Sequence, residues 1–212
     1  MCLHLSAAGQ SPEALAMMRN GLINVQDADP NIVVKLMYAE ADNFVGESMY
    51  GTLREAMLQP EAAEKLTVAS NNLKKKHPRY SMIVYDAARP RKIQQIMWNK
   101  VKGTPKSRYV SSPKRISMHS YGVAVDVSLL DENGLPLDMG TPVDYLGELA
   151  EPRREQEFLK SGKLTRKQID NRLLLRNIMK NAGFRSISNE WWHFEACTRE
   201  EAQRKYLPVD FF

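Results

Sequence analysis

Cysteine is scarce in this chain: Cys2 and Cys197 are the only two in 212 residues, too few for a disulfide framework and too far apart for a Cys-x-x-Cys metal or redox motif. That leaves the redox compartment open. No apolar run approaches the roughly 20 residues that a membrane-spanning helix needs, and mean hydropathy is -0.46. An excess of one charge sign is also missing. Thirty Lys+Arg stand against 25 Asp+Glu, for a net charge of +5 and a pI near 9.1, with the basic residues scattered among acidic ones. The densest basic stretch, Lys74-Lys75-Lys76-His77 with Arg79 close behind, fits a solvated helix end where cations meet unpaired carbonyls, and it gives no argument for nucleic acid. Gly and Pro, at 11 each, are not abundant enough for a collagen-like or low-complexity chain. What remains, with 43% hydrophobic and 26% charged residues, is a globular protein of a length that suits one domain.

Local signals divide the chain. Ser11 as N-cap, Pro12 at the first helical position and Gly21 beyond the end predict a short peripheral helix over 12–20, with Leu15 and Met18 on one face. Residues 1–30 then form an N-terminal segment, and 31–212 the main domain, within a single domain overall. The apolar residues between Asn31 and Tyr38 predict a strand, and Asp42 to Gly46 a loop. Ala63, Leu66, Ala69 and Leu73 predict a helix over 60–75 that stops before Pro78. A strand over 80–85 leads through Asp86-Ala87-Ala88-Arg89-Pro90 into a helix reaching Lys100, which carries Ile93 and Met97 and puts Arg89 at a strand-to-helix junction. Residues 103–116 read as a long polar loop. A strand over 123–130 turns at Asn133-Gly134 towards a return strand over 135–137. The longest helix is expected over 166–181, opened by a Thr165/Gln168 capping box, lined by Leu173, Leu174, Ile178 and Met179, and closed by Gly183. A last strand-like segment covers 184–195. The order of elements gives an α+β single domain with a central, mostly antiparallel sheet flanked by helices.

Two readings of the N-terminus stand. Ser6-Ala7-Ala8-Gly9 looks like the cleavage region of a secretory signal, which would place the protein in the periplasm or cell envelope; otherwise residues 1–9 are an ordinary N-terminus and the protein is cytoplasmic.

There are four histidines. His4 lies in the N-terminal stretch and His77 in the basic helix end, which leaves His119 and His193 for buried work. Asp126 ends the run Val123-Ala124-Val125, and a carboxylate inside an apolar strand is costly unless paired or bound to a metal. In an unbroken strand His119 and Asp126 point to opposite faces, as do Glu190 and His193, so spacing alone assembles no site. Gly122 offers a bend that would fold His119 back over the strand. Glu190-Trp191-Trp192-His193-Phe194-Glu195 sets carboxylates and a histidine among aromatic rings. Two histidines and a carboxylate, with one position left to water, make a catalytic zinc set. A further carboxylate, Glu190 in preference to Glu195, would then carry the proton. Each residue also has a plainer reading: hydrogen-bonded core histidines, Asp126 as a turn or cap residue, Trp191 and Trp192 as core, Arg89 as a surface ion pair.

Ser117-Met118-His119-Ser120-Tyr121-Gly122-Val123-Ala124-Val125-Asp126 follows S-x-H-x-x-G-x-A-x-D, and Glu190-Trp191-Trp192-His193 follows E-x-W-H. Together they resemble the zinc D-alanyl-D-alanine peptidases. Asp42 to Gly46, Asp86 to Pro90, Asp138 to Asp144 and Asn181 to Phe184 are similar to further segments of the VanX-type dipeptidase branch, so the resemblance spans about 40–196. It implies one Zn2+ per chain on His119, Asp126 and His193 at the sheet, with Glu190 as general acid/base. It implies that Arg89 holds substrate and stabilises the oxyanion, that Ser117 lies beside the dipeptide and that Asp144 receives its ammonium; Tyr50 is a further candidate for substrate contact. The implied reaction is hydrolysis of D-alanyl-D-alanine to two D-alanines, with a small dipeptide as partner, no nucleic acid and no membrane-spanning segment. Oligomeric state and physiological role stay open. Val143 stands where the dipeptidases usually have Phe, and Ala87-Ala88 where an aromatic often precedes Arg-Pro. Two alternatives remain: a D,D-carboxypeptidase acting on peptidoglycan stem peptides, although those tend to have Pro where Trp191 stands, and a non-catalytic module that keeps zinc, as the Hedgehog signalling domain does.

Overall fold

A β-rich centre forms where the chain is most apolar. In the structure, a computed structural model describing residues 9–210, one five-stranded sheet runs in the order β2-β4-β5-β7-β6. Its strands are Val33–Val34 (β2), Ser81–Asp86 (β4), Ala124–Leu130 (β5), Arg185–Ser186 (β6) and His193–Glu195 (β7). Ile23–Asn24 (β1) and Met57–Leu58 (β3) pair separately. Only β2 runs parallel to its neighbour; the other three pairings in the large sheet are antiparallel, as expected. Every residue of β5 is buried, because strands flank it on both sides and both of its faces are covered. Cys2, His4 and the cleavage-like Ser6-Ala7-Ala8 lie outside the described residues.

Seven α-helices surround the sheets among the described residues: Pro12–Arg19 (α1), Val25–Ala28 (α2), Pro60–Lys76 (α3), Arg91–Val101 (α4), Glu155–Lys160 (α5), Arg166–Asn181 (α6) and Arg199–Lys205 (α7). α3 turns Ala62, Ala63, Leu66, Ala69 and Leu73 inward and packs against β4 and α6. Residues before 31 join the same core through Ala14, Met17, Leu22 and Val25.

Several expectations need correcting. α1 buries Ala14 and Met17, while Leu15 is 42% exposed; an eight-residue helix is too short for its apolar pattern to select one face. α6 buries Ile169, Arg172, Leu175, Ile178 and Met179, while Leu173 is 37% exposed, because a buried arginine breaks the inward stripe. α3, with 17 residues, is longer than α6, with 16. The strand expected over 31–38 is only β2, followed by a 3-10 turn at Met37–Ala39. After the turn at Asn133-Gly134 the return is a single bridge between Leu130 and Pro136. The segment over 184–195 is two short strands, β6 and β7, paired with each other.

The chain turns sharply just before β5. A 3-10 turn at His119–Tyr121 ends at Gly122, whose φ of 69° lies in the left-handed region. The Gly122 carbonyl accepts from the Gln59 amide at 2.8 Å, and a Cβ on Gly122 would sit 3.1 Å from Leu22 Cδ2. Gly122→Ala should therefore lower stability by about 1–2 kcal/mol. Urea unfolding checks this, and a wild-type midpoint would show that the turn is not constrained.

Candidate metal centre

Cross-strand register brings the first residues together. Asp126 on β5 lies opposite His193 on β7 and, past an irregularity after Val84, opposite Asp86 on β4. His119 does not ride on β5. It sits on the 3-10 turn before the strand, and the left-handed Gly122 carries it back over Asp126, which resolves the conflict between spacing and strand alternation. Nδ1 of His119 donates to the Ala87 carbonyl at 2.7 Å, leaving the lone pair on Nε2. That Nε2 lies 3.1 Å from His193 Nδ1 and 3.3 Å from Asp126 Oδ2, and His193 Nδ1 lies 3.0 Å from Asp126 Oδ1. All three residues are buried, with one ligand atom from each within 4.8 Å of the others.

The electrostatics favour a cation at this point. Against burial, which opposes charge on it, the hydrogen bonds to Asp126 and Glu195 push His193 up to about 10. Asp126 is held well below the usual carboxylate range: burial opposes this, and His119 and His193 outweigh it. Two imidazole nitrogens and one carboxylate converging on one point suit a divalent transition-metal ion. The Ala87 carbonyl fixes the outer nitrogen of His119, and on the far side of His193 the Glu195 carboxylate faces Nε2 with Oε1 at 3.6 Å.

The residues expected around this cluster are distributed as follows. Glu190 precedes β7 on a loop, so strand alternation does not govern it; its side chain is 11% exposed and reaches within 3.9 Å of His193 Nδ1. Burial and the nearby carboxylates of Asp126 and Asp144 push it up to about 8, against the opposing pull of His193 and Arg89. Arg89 is no surface pair. It is buried, donates from Nε to Asp86 at 2.8 Å and also from Nη2, and passes 3.7 Å from Asp126 Oδ2. Ser117 is buried and lines the same cavity of about 420 Å³. Asp144 lines it too, from a left-handed backbone position with φ of 61°, and burial raises it to about 7. Tyr50 stands behind the site: it is fully buried and donates to Asp86 at 2.5 Å. Tyr38, by contrast, lines the cavity; its hydroxyl donates to Asp144 and its ring lies 5.1 Å from the Arg89 guanidinium carbon.

Three contributors lie outside the site residues that the sequence singles out. Asp86 anchors Arg89, Tyr38 pairs with Asp144, and Arg172 holds the Asp144 segment in place. Arg172 Nε donates to the Met139 carbonyl at 2.6 Å and Nη2 to the Leu149 carbonyl at 3.0 Å, bracketing the loop that carries Asp144. Asp86 was the one with an available signal, being a carboxylate that ends an apolar strand as Asp126 does.

The chain is also similar to known proteins. The sequence profile of a family described as D-ala-D-ala dipeptidase matches residues 18–210, further in both directions than the motif-bearing stretch. The D-alanyl-D-alanine dipeptidase of Escherichia coli is 34% identical over 178 residues, covering 82% of this chain and 83% of that protein. The D-alanyl-D-alanine dipeptidase of Synechocystis is 30% identical, over 72% of this chain and 71% of its own. That of Enterococcus faecium is 26% identical, over 74% of this chain and 82% of its own.

Metal-stripped protein should take up one divalent ion per chain with a rise in thermal midpoint, and Asp126→Asn should lose this uptake. Glu195→Gln, with its hold on His193 weakened, should bind the ion about 10- to 100-fold less tightly in a chelator competition. Wild-type uptake by Asp126→Asn would sink the ligand assignment.

Proposed function

This chain belongs to the D-Ala-D-Ala dipeptidase family of metal-dependent peptidases, and we propose that it hydrolyses D-alanyl-D-alanine to two D-alanines at a zinc ion held by His119, Asp126 and His193. The observation that carries the reading is the convergence of those ligand atoms beside Glu190, in a cavity that also contains Arg89 and Asp144. Zinc bound there supplies a Lewis acid that acidifies water and polarises a carbonyl.

The remaining chemistry belongs to side chains of this chain. Glu190, raised by burial to about 8, holds and releases a proton near neutral pH, so it can take one from the attacking water and return it to the leaving amine. Arg89 stays charged, because Asp86 beside it outweighs the cost of its burial, and it offers a fixed positive charge to the oxyanion. Its partners hold it there: Asp86 takes Nε and Nη2, and Gln94 Oε1 accepts from Nη1 at 2.9 Å. Asp144 receives the substrate ammonium with Tyr38 fixing the carboxylate, and Ser117 lies alongside the dipeptide.

The primary test is release of free D-alanine by the zinc-loaded protein from D-alanyl-D-alanine and from its N-acetylated form. Cleavage confined to the free dipeptide is expected; equal or better cleavage of the acetylated form would make the protein a carboxypeptidase. Glu190→Gln should reduce kcat by at least about a thousandfold with metal content unchanged, and residual activity near wild type would overturn its role. The ionised form of Asp144 is the one that pairs with an ammonium, so KM for the free dipeptide should fall as pH rises through about 7. Asp144→Asn should raise KM and flatten that dependence.

A further inference from the structure

The cavity holds more positive charge than the hydrolytic chemistry uses. Four arginines line it: Arg89, Arg108, Arg115 and Arg199. Arg89 is matched by Asp86, and Arg108 by Glu151 at 3.0 Å and Glu148 at 3.5 Å. Arg115 and Arg199 make no ion pair among the described residues.

Their positions are set independently. Arg115 lies on the loop that precedes the zinc-site turn, two residues before Ser117. Arg199 opens α7, and its Nη1 donates to the Ile116 carbonyl at 2.5 Å, which ties it to the same stretch of loop. Nε of Arg199 is shut off from solvent without an acceptor. The carboxylate that acts on Arg199 most, Glu195, makes its ion pair with His193, Oε1 to Nε2 at 3.6 Å. The two guanidinium groups also repel each other: burial and then Arg115 hold Arg199 below its usual value. Two like charges lining one cavity, neither in an ion pair among the described residues, suit an anion with forked acceptors such as a carboxylate.

The opposite polarity is present in the same cavity at Asp144, braced by Tyr38. A free dipeptide has one ammonium and one carboxylate. We propose that Arg115 and Arg199 bind the α-carboxylate of the leaving residue, an assignment that rests on the dipeptidase reading of the site. The arginine pair then selects for a free C-terminus as Asp144 selects for a free N-terminus, so both ends of the substrate are read by charge and peptides extended at the C-terminus are rejected.

The test compares D-alanyl-D-alanine with D-alanyl-D-alanine amide, which lacks the carboxylate charge, on zinc-loaded wild-type, Arg115→Ala and Arg199→Lys proteins. Hydrolysis and calorimetric binding are both measured. Wild type should prefer the acid. Arg115→Ala should raise KM for the acid about tenfold or more with kcat nearly unchanged, and leave KM for the amide within about twofold. Arg199→Lys keeps a charge but loses the fork, so it should move in the same direction by less. Arg115 is exposed, so its alanine variant should keep the wild-type urea midpoint. Parallel losses on acid and amide, or an unchanged KM for the acid, would overturn the arginine assignment while leaving the dipeptidase reading intact. Failure of wild type to bind or cleave either compound would overturn both.

Discussion

A carboxylate in the middle of a buried strand is the constraint around which this site is arranged. Asp126 is 2% exposed on β5, and an ion there is tolerable only when opposite charge and hydrogen bonds surround it. The compensation comes from three separate pieces of chain. His193 faces it across the sheet, His119 is folded back over it by the turn at Gly122, and Arg89 approaches within 3.7 Å from the start of α4. A metal ion satisfies the same requirement more completely, since the two imidazoles then offer lone pairs and the ion carries the positive charge.

Asp86 extends the arrangement outward. It is fully buried, accepts from Tyr50 and Arg89, and lies 3.6 Å from His119 Nδ1. From Arg89 the chain of contacts runs to Gln94, whose amide donates to the Ser111 carbonyl at 2.9 Å. The long polar loop is therefore tied to Arg89. Arg108 and Tyr109 secure the same loop to the buried Glu151 at 3.0 and 2.8 Å. On the other wall, Arg172 brackets the Asp144 loop through two backbone carbonyls. Buried charged groups like these add little net stability, but each loses heavily if its partner moves, so they hold geometry better than apolar contacts would.

Much of the fold was legible because local signals were strong. Ser11 and Thr165 cap α1 and α6 as their side chains suggest, and the apolar spacing of α3 turns the expected residues inward. Legibility failed where a long-range partner decides the outcome. Leu173 looks like a core residue by period, yet α6 turns Arg172 inward because the carbonyls of Met139 and Leu149 await it. The apolar run from Asn31 to Tyr38 has strand composition, but only Val33 and Val34 pair with β4 as strand, with the Lys35 amide adding one bond to the Val84 carbonyl.

The candidate site divides in the same way. Sequence alone determined which residue types were available: two histidines with buried work to do, a carboxylate ending an apolar strand, a carboxylate-rich aromatic segment and a glycine able to bend the chain, in an order that resembles one enzyme family. It did not determine that His119, Asp126 and His193 meet, since alternation along a straight strand argues against it. Tertiary structure decided that through the left-handed turn at Gly122 and the β5–β7 register. It also decided that Tyr50 stands behind Asp86 while Tyr38 faces the cavity, and that two arginines 84 positions apart line one cavity. The physical reason is that composition and period act over a few residues, whereas charge compensation and strand pairing act between segments that only the folded chain brings together.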